Sequence, residues 1–271
     1  HCAATGTSGS CEQYVPGMGL ELFTQGVPET GIVERFAERA EAAGWDGISL
    51  TDSQNLVGDP FIAMALAAKV TSTLKFMTGV SNVATRHPAV LATTVATVQE
   101  ASGGRAILGI GRGDTALFHL GRPPMPIKDF FPAVEQVHAY LNGETVDQRG
   151  RESRLRWLDR ARQGPVPLDL AASGPKVIAF AARTAERITF AVGADPQRMA
   201  WALDLARTAQ RDAGRPADAV SYGAYVNVGC HPDPDVGREL IKGSIAAFAH
   251  FSAMPGSTGA GLDDKDKAIV E

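Results

Sequence analysis

Residues able to do chemistry gather in seven short turns, each following an apolar run. They are Thr24-Gln25-Gly26, Thr51-Asp52-Ser53-Gln54-Asn55, Thr78-Gly79-Val80-Ser81-Asn82, Gly109-Ile110-Gly111-Arg112-Gly113-Asp114-Thr115, Ala171-Ala172-Ser173-Gly174-Pro175-Lys176, Val192-Gly193-Ala194-Asp195 and Asn227-Val228-Gly229. Glycine recurs in them, and small residues at such places let backbone approach a flat or phosphorylated ligand. Ser173-Gly174-Pro175 also opens a helical pattern, where free amide N–H groups and the helix dipole favour an anion. Ordinary turn chemistry uses the same residue types, so an anion site and a plain turn both stand at this point. Other chemistries lack their residues. No HExxH, HxxE or CxxC spacing occurs, so no metal site is expected. The GxSxG elbow of hydrolases is absent, and the run from Gly109 has Asp114 where the dinucleotide fingerprint needs its third glycine. Among the histidines, His87 precedes Pro88 and reads as a helix cap. His138 and His250 fall within helical patterns as surface or packing residues, and His119 with Arg122 are candidates for a substrate wall.

The turns are held by a regular alternation. Apolar runs at 19–26, 47–53, 74–82, 105–114, 166–174, 188–195 and 220–230 read as strands. Each is followed by a helical pattern. In the first, Ile32, Val33, Phe36, Ala37, Ala40 and Ala43 share a face and Gly44 ends it; in the second, Asp59 caps and Pro60 takes the first helical position. Further helices are expected at 87–104, 130–143, 175–186, 196–214 and 234–251. Strands that are apolar throughout, rather than alternating, belong to a parallel sheet buried on both faces. Seven such units without a break predict a (β/α)8 TIM barrel rather than an open doubly wound sheet. An eighth unit is not present before Glu271, so the barrel is expected to be truncated before its eighth βα unit, as a fragment. Residues 1–17 lack periodicity and read as a flexible leader or expression remnant, with 18–271 as one domain.

Composition narrows the function classes. The chain has 271 residues, with 26 Lys+Arg against 30 Asp+Glu and a formal charge of −4. That balance argues against nucleic acid or an anionic membrane as partner, since both need concentrated positive charge. No apolar run is long enough to span a bilayer. Three cysteines, two of them (Cys2 and Cys11) in the leader, are too few for a disulfide scaffold. An enzyme acting on a small molecule in the cytoplasm is the expectation.

The segments TGVSN at 78–82, ATRHPAVLATTVATVQEASGGRAILGIGRGD at 84–114 and LAASGPKVIAFAAR at 170–183 resemble the luciferase-like flavin and deazaflavin oxidoreductases. Within them the chain is most similar to the coenzyme F420 branch that contains methylenetetrahydromethanopterin reductase. The resemblance runs from about Met18 to the end. It implies a barrel with the cofactor ring in the mouth at the carboxyl ends of the strands, hydride transfer at C5 of the deazaflavin, and a homodimer.

Residue by residue, the resemblance implies a non-prolyl cis peptide at Gly79-Val80 that backs the ring, with Ser81 and Asn82 facing its pyrimidine edge. It implies a phosphate turn at Ser173, Gly174, Pro175 and Lys176, joined by Gly193 and Ala194. Asp52 and Ser53 match the segment beside the ring. Ser53 stands where sugar-phosphate dehydrogenase relatives carry a histidine base, which counts against oxidation of a hydroxyl group. Gly111 and Arg112 border the mouth; Arg112 either stabilises an anionic ring or cofactor tail or binds Asp114. Asp114 falls where relatives place a glutamate that donates a proton or acts electrostatically, and pairing with Arg112 or capping the next turn is its structural alternative. The catalytic candidates are therefore Asp114 and Ser53. The expected activity is hydride exchange between F420 and a small organic substrate. An FMN-dependent monooxygenase is the chemical neighbour, and a non-catalytic cofactor-binding barrel is the reading from another class.

Overall fold

The computed structural model describes residues 19–252, so the leader with Cys2 and Cys11, the side chain of His250 and the tail beyond 252 lie outside the described residues. In chain order the elements are β1 (Phe23–Gly26), α1 (Val33–Ala42), β2 (Gly47–Leu50), α2 (Pro60–Val70), β3 (Lys75–Thr78), β4 (Ser81–Asn82), α3 (Pro88–Ser102), β5 (Ala106–Gly111) and α4 (Thr115–Phe118). There follow α5 (Ile127–Leu141), β6 (Val146–Asp147), β7 (Glu152–Ser153), a 3-10 turn (Arg156–Arg160), β8 (Leu168–Ala172), α6 (Pro175–Thr184), β9 (Arg187–Phe190), α7 (Pro196–Asp212), β10 (Ser221–Ala224) and α8 (Pro234–Ser252). All seven expected strand–helix pairs are present. Three additions were not legible as periodic patterns: the short α4, the β6–β7 hairpin and the 3-10 turn.

The main sheet runs β1-β2-β3-β5-β8-β9-β10, every neighbouring pair parallel, with β4 added to β5. It curls rather than lying open. Glu21, just before β1, accepts from Arg187 at the start of β9 at 3.1 Å and also pairs with Lys75 at the start of β3. One carboxylate thus joins strands that are far apart along the sheet, at the amino end of the curl. Among the described residues this is the curled parallel arrangement of an α/β barrel, built from seven strand–helix units.

Strand parity divides the side chains into two sets. Ile48, Leu50, Phe76, Leu108, Ile110, Leu168, Leu170, Ile188 and Phe190 point outward and join the helices in one continuous core. Met77 and Ile107, partners in register and equally buried, stand outside that core and face into the curl with Ser49, Gly109, Asp169 and Thr189. Sequence punctuation explains the helix starts. Asp59 accepts from the amides of Phe61 and Ile62, at 2.8 and 3.2 Å, ahead of Pro60. His87 accepts from Ala89 N through Nδ1, the capping role expected of it, and Asp195 accepts from Arg198 N at 2.7 Å. Among the described residues, no helix is long and apolar enough to cross a membrane.

Candidate active site

At the carboxyl ends of the strands lies a cavity of about 750 Å³. Six of the seven strand-end turns reach it, all but the turn at 192–195: Gln25 after β1, Thr51, Asp52 and Ser53 after β2, and Gly79, Val80 and Asn82 around β3–β4. Gly111 to Ala116 follow β5, Ala171 and Ser173 to Val177 come from β8–α6, Ala191 follows β9, and Tyr225 and Asn227 follow β10. One wall is closely packed glycine backbone. A Cβ on Gly79 would sit 1.9 Å from Ser49 Oγ, and one on Gly111 would sit 2.8 Å from Val80 Cγ2. The Gly79-Val80 peptide is cis, as the resemblance implies.

Also lining the cavity, α6 begins with Gly174 as its N-cap and no side-chain cap bond. This contrasts with α2, α3 and α7, whose first amides are engaged by Asp59, His87 and Asp195. The amides at the α6 start and the exposed Lys176 therefore offer an anion both N–H donors and positive charge. Pro175 has no N–H to contribute.

The polar groups of the third wall are tied to one another. Asp52, 5 % exposed, accepts from Ser81 Oγ at 2.6 Å and from the Arg86 guanidinium. Arg86 also bonds Asp59 at 2.8 Å and lies over the Phe61 ring. The loop after β2, the β3–β4 bulge and the start of α2 are thus locked by the Arg86 ion pairs to Asp52 and Asp59 together with the Ser81–Asp52 hydrogen bond. Asn82, which lines the cavity, accepts through Oδ1 from the amides of Ala84 and Thr85 and from the Thr85 hydroxyl. Ser53 is 2 % exposed and its hydroxyl makes no hydrogen bond within the protein. A buried hydroxyl at a cavity wall without an internal partner is an available donor to a ligand. Gly113, at φ +74°, turns the chain after β5 where a side chain would crowd Leu117 and Asn82. That turn sets Asp114 on the cavity as the N-cap residue of α4, yet its side chain makes no capping bond. Arg112 donates from Nε to the Met125 carbonyl at 2.7 Å, which anchors the segment between α4 and α5.

One layer deeper lies a polar group that composition and spacing did not single out. Asp169 is fully buried, accepts from Thr189 Oγ1 at 2.7 Å through Oδ2, and has no partner for Oδ1. Burial pushes its pKa up to about 6, against the opposing effects of Thr189 and Arg187. The sign follows: the folded chain holds this proton more tightly than the unfolded chain. The contribution of Asp169 to stability is therefore full at acidic pH and is lost as pH rises through about 6. Burial also raises the Tyr225 phenol, and the nearby Asp169 carboxylate adds to the shift.

A model of the family "luciferase-like monooxygenase" matches residues 22–267. The chain belongs to that family. It is 28 % identical over 248 residues to the 5,10-methylenetetrahydromethanopterin reductase of Methanopyrus kandleri, covering 84 % of this chain and 70 % of that relative. Among solved structures it is similar to the coenzyme F420 dependent tetrahydromethanopterin reductase from Methanopyrus kandleri. There the TM-score is 0.72 with 24 % identity, over 84 % of this chain and 72 % of that one. It also resembles the oxygenating constituent of a Pseudomonas putida 3,6-diketocamphane monooxygenase in complex with FMN. That TM-score is 0.63 with 17 % identity, over 92 % and 81 % of the two chains.

Of the residues a luciferase-like reading selects, Asp52, Ser53, Gly79, Val80, Asn82, Gly111, Arg112, Asp114, Ser173, Gly174, Pro175 and Lys176 all line the one cavity. Gly193 and Ala194 do not; the chain leaves the cavity at Ala191 and turns away through Gly193 at φ +82° into the Asp195 cap. Ser81 is also displaced from the ligand wall, because its hydroxyl is engaged by Asp52. His119 and Arg122 are exposed and not part of the lining, since α4 turns them outward; His138 pairs with Glu186 at 2.9 Å on the far side of the barrel wall. Arg86 and Tyr225 were missed. Their only signal was position within strand-end segments, and the partners that define them are distant in sequence.

Proposed function

We propose that this protein is an oxidoreductase that holds coenzyme F420 in the strand-end cavity and exchanges a hydride with a small organic substrate. The carrying observation is that a closely packed glycine wall at Gly79 and Gly111 and the uncapped start of α6 line one cavity. A planar ring with a phosphorylated tail matches both features. Gly174, Lys176 and Val177 supply the amides for the phosphate, with the Lys176 ammonium beside them. Val80 and Asn82 border the ring, and Ser53 offers its unpartnered hydroxyl. The deazaflavin, when bound, would supply the carbon that gives up or takes the hydride. Asp114 at the cavity edge holds or delivers the substrate's proton. Ser53 leaves the site without a histidine base, so a carbonyl or unsaturated substrate fits better than an alcohol.

Cofactor binding tests this reading. Trp45, Trp157 and Trp201 do not line the cavity, so binding is best read by calorimetry or by the cofactor's own fluorescence. F420 is expected to bind more tightly than oxidised or reduced FMN. Binding of FMN alone would transfer the reading to a flavin monooxygenase, and binding of neither would leave a non-catalytic barrel.

We also propose a homodimer joined through α2 and α3. The helix α2 is apolar nearly all round, and Ile62 and Val90 stand 58 % and 52 % exposed on the outer faces of α2 and α3. An apolar outer face of this kind is covered in a stable assembly. Light scattering is expected to give twice the chain mass, falling to one on Ile62→Glu with Val90→Glu. A monomer at micromolar concentration would refute the assignment.

A further inference from the structure

Asp169 is the one fully buried carboxylate among the described residues, and the proposed chemistry does not use it. Its place in the fold is set by strand parity. Ala171, two residues on and on the same face of β8, lines the cavity. At about 3.3 Å per residue, Asp169 lies roughly 7 Å beneath the cavity floor. Ser49 stands in the same relation to Thr51, and Thr189 to Ala191, so these three form a layer under the site. Tyr225 joins that layer from above. It lines the cavity while its hydroxyl is buried toward Asp169 and Ser49. Among the described residues Asp169 Oδ1 makes no hydrogen bond, and the Tyr225 hydroxyl lies beside that of Ser49.

The groups facing Asp169 are few. Thr189 and Arg187 come from β9, Tyr225 from the end of β10, Ser49 from β2, and Gly109 on β5, its register partner, adds none. Arg187 is itself paired with Glu21, which also holds Lys75. Among the described residues, no cation is devoted to this carboxylate.

Resting on the F420 reading above, we propose that Asp169 takes up a proton from solvent when the reduced, anionic cofactor occupies the cavity over it. The reduced cofactor differs from the oxidised one by a hydride, two electrons and one proton, and so carries one additional negative charge on the ring. The Asp169 carboxylate gains one H⁺ to become a neutral acid, so the charge inside the barrel is unchanged. Tyr225, the only member of the cluster at the cavity floor, is the hydroxyl through which that proton passes. A negative charge about 7 Å away at an effective dielectric near 20 disfavours an ionised Asp169 by on the order of tenfold to fiftyfold. The carboxyl already sits at about 6 before any ligand arrives, so an added negative charge moves its titration further toward neutral pH.

Anaerobic calorimetry with reduced F420, in buffers of different ionisation enthalpy, counts the protons taken up on binding. The parent is expected to take up about half a proton or more near neutral pH beyond what Asp169→Asn takes up. The affinity of the parent for reduced cofactor should fall about tenfold or more from pH 5 to pH 8 relative to oxidised cofactor, with Asp169→Asn flat. Thr189→Val provides the second variant. It keeps shape but removes the hydrogen bond that lowers the Asp169 pKa, so the midpoint should move up; a purely structural Asp169 would not shift it. In the cofactor-free protein, the infrared carbonyl band of a protonated carboxylic acid should titrate near pH 6 and be lost in Asp169→Asn. Normal cofactor binding with equal proton uptake in parent and Asp169→Asn would overturn the proposal alone. Failure of the parent to bind F420 at all would overturn the functional reading with it.

Discussion

Asp114→Asn is expected to lower turnover by about 10²–10⁴-fold, the range of a lost acid–base group, while cofactor affinity stays within about twofold. That rate loss corresponds to roughly 3–5 kcal/mol of transition-state stabilisation. The expectation rests on placement. Gly113 turns the chain through φ +74°, and Asp114 then stands on the cavity edge as the N-cap of α4 without capping it by its side chain. Elsewhere in the same chain, Asp59 and Asp195 do cap with their carboxylates. Asparagine preserves shape and most hydrogen bonds but can neither carry the charge nor release the proton. Steady-state kinetics with a reducible substrate, beside calorimetric cofactor binding, make the measurement. A variant turning over at the parent rate would remove Asp114 from the mechanism. A collapse in cofactor affinity matching the rate loss would make it a structural residue.

The second large effect is expected at the glycine wall. Alanine at position 79 places its Cβ 1.9 Å from Ser49 Oγ and 3.2 Å from Ser49 Cβ. Overlap of that size forces β2 and β3 apart, and overpacking in a closed interior costs about 1–3 kcal/mol. The displaced wall is also the surface proposed to back the ring. Gly79→Ala should therefore lower the melting temperature by several degrees and weaken F420 binding at least about tenfold. The obstacle is one side chain, so rescue is specific. Ser49→Gly in the Gly79→Ala background should restore most of both losses. Ser49→Ala should restore less, because its Cβ remains. Parent-like stability and affinity in the single variant would show that the wall yields without consequence, and the ring would then need another seat.

The order of the fold was legible because its signals are local. Apolar strands, proline at first helical positions, Asp59 as a cap and glycine after α3 act within a few residues of one another. The hairpin between β6 and β7, two residues a side, carries too few residues for a period to register. The cavity was largely legible as well, since strand ends in a parallel curled sheet all open on one face. Gly193 and Ala194 show the limit. They follow a strand as the others do, but the Asp195 cap on Arg198 N turns that segment away from the ligand.

By itself, then, the sequence determined seven strand–helix units and the set of turns that would meet at one end. Both follow from burial pattern and turn chemistry along the chain. The tertiary structure alone decided which atoms in those turns are free. Ser81 and Arg86 meet Asp52 across separations of 29 and 34 residues, which leaves Ser53, not Ser81, with an available hydroxyl. It also placed Asp169 beneath the site, beside Thr189 from 20 residues further on and Tyr225 from the last strand. The reason is register: which side of a buried strand faces the barrel interior, and what it meets there, is fixed by hydrogen bonding to neighbouring strands. An apolar run buried on both faces carries no alternation from which that parity could be read.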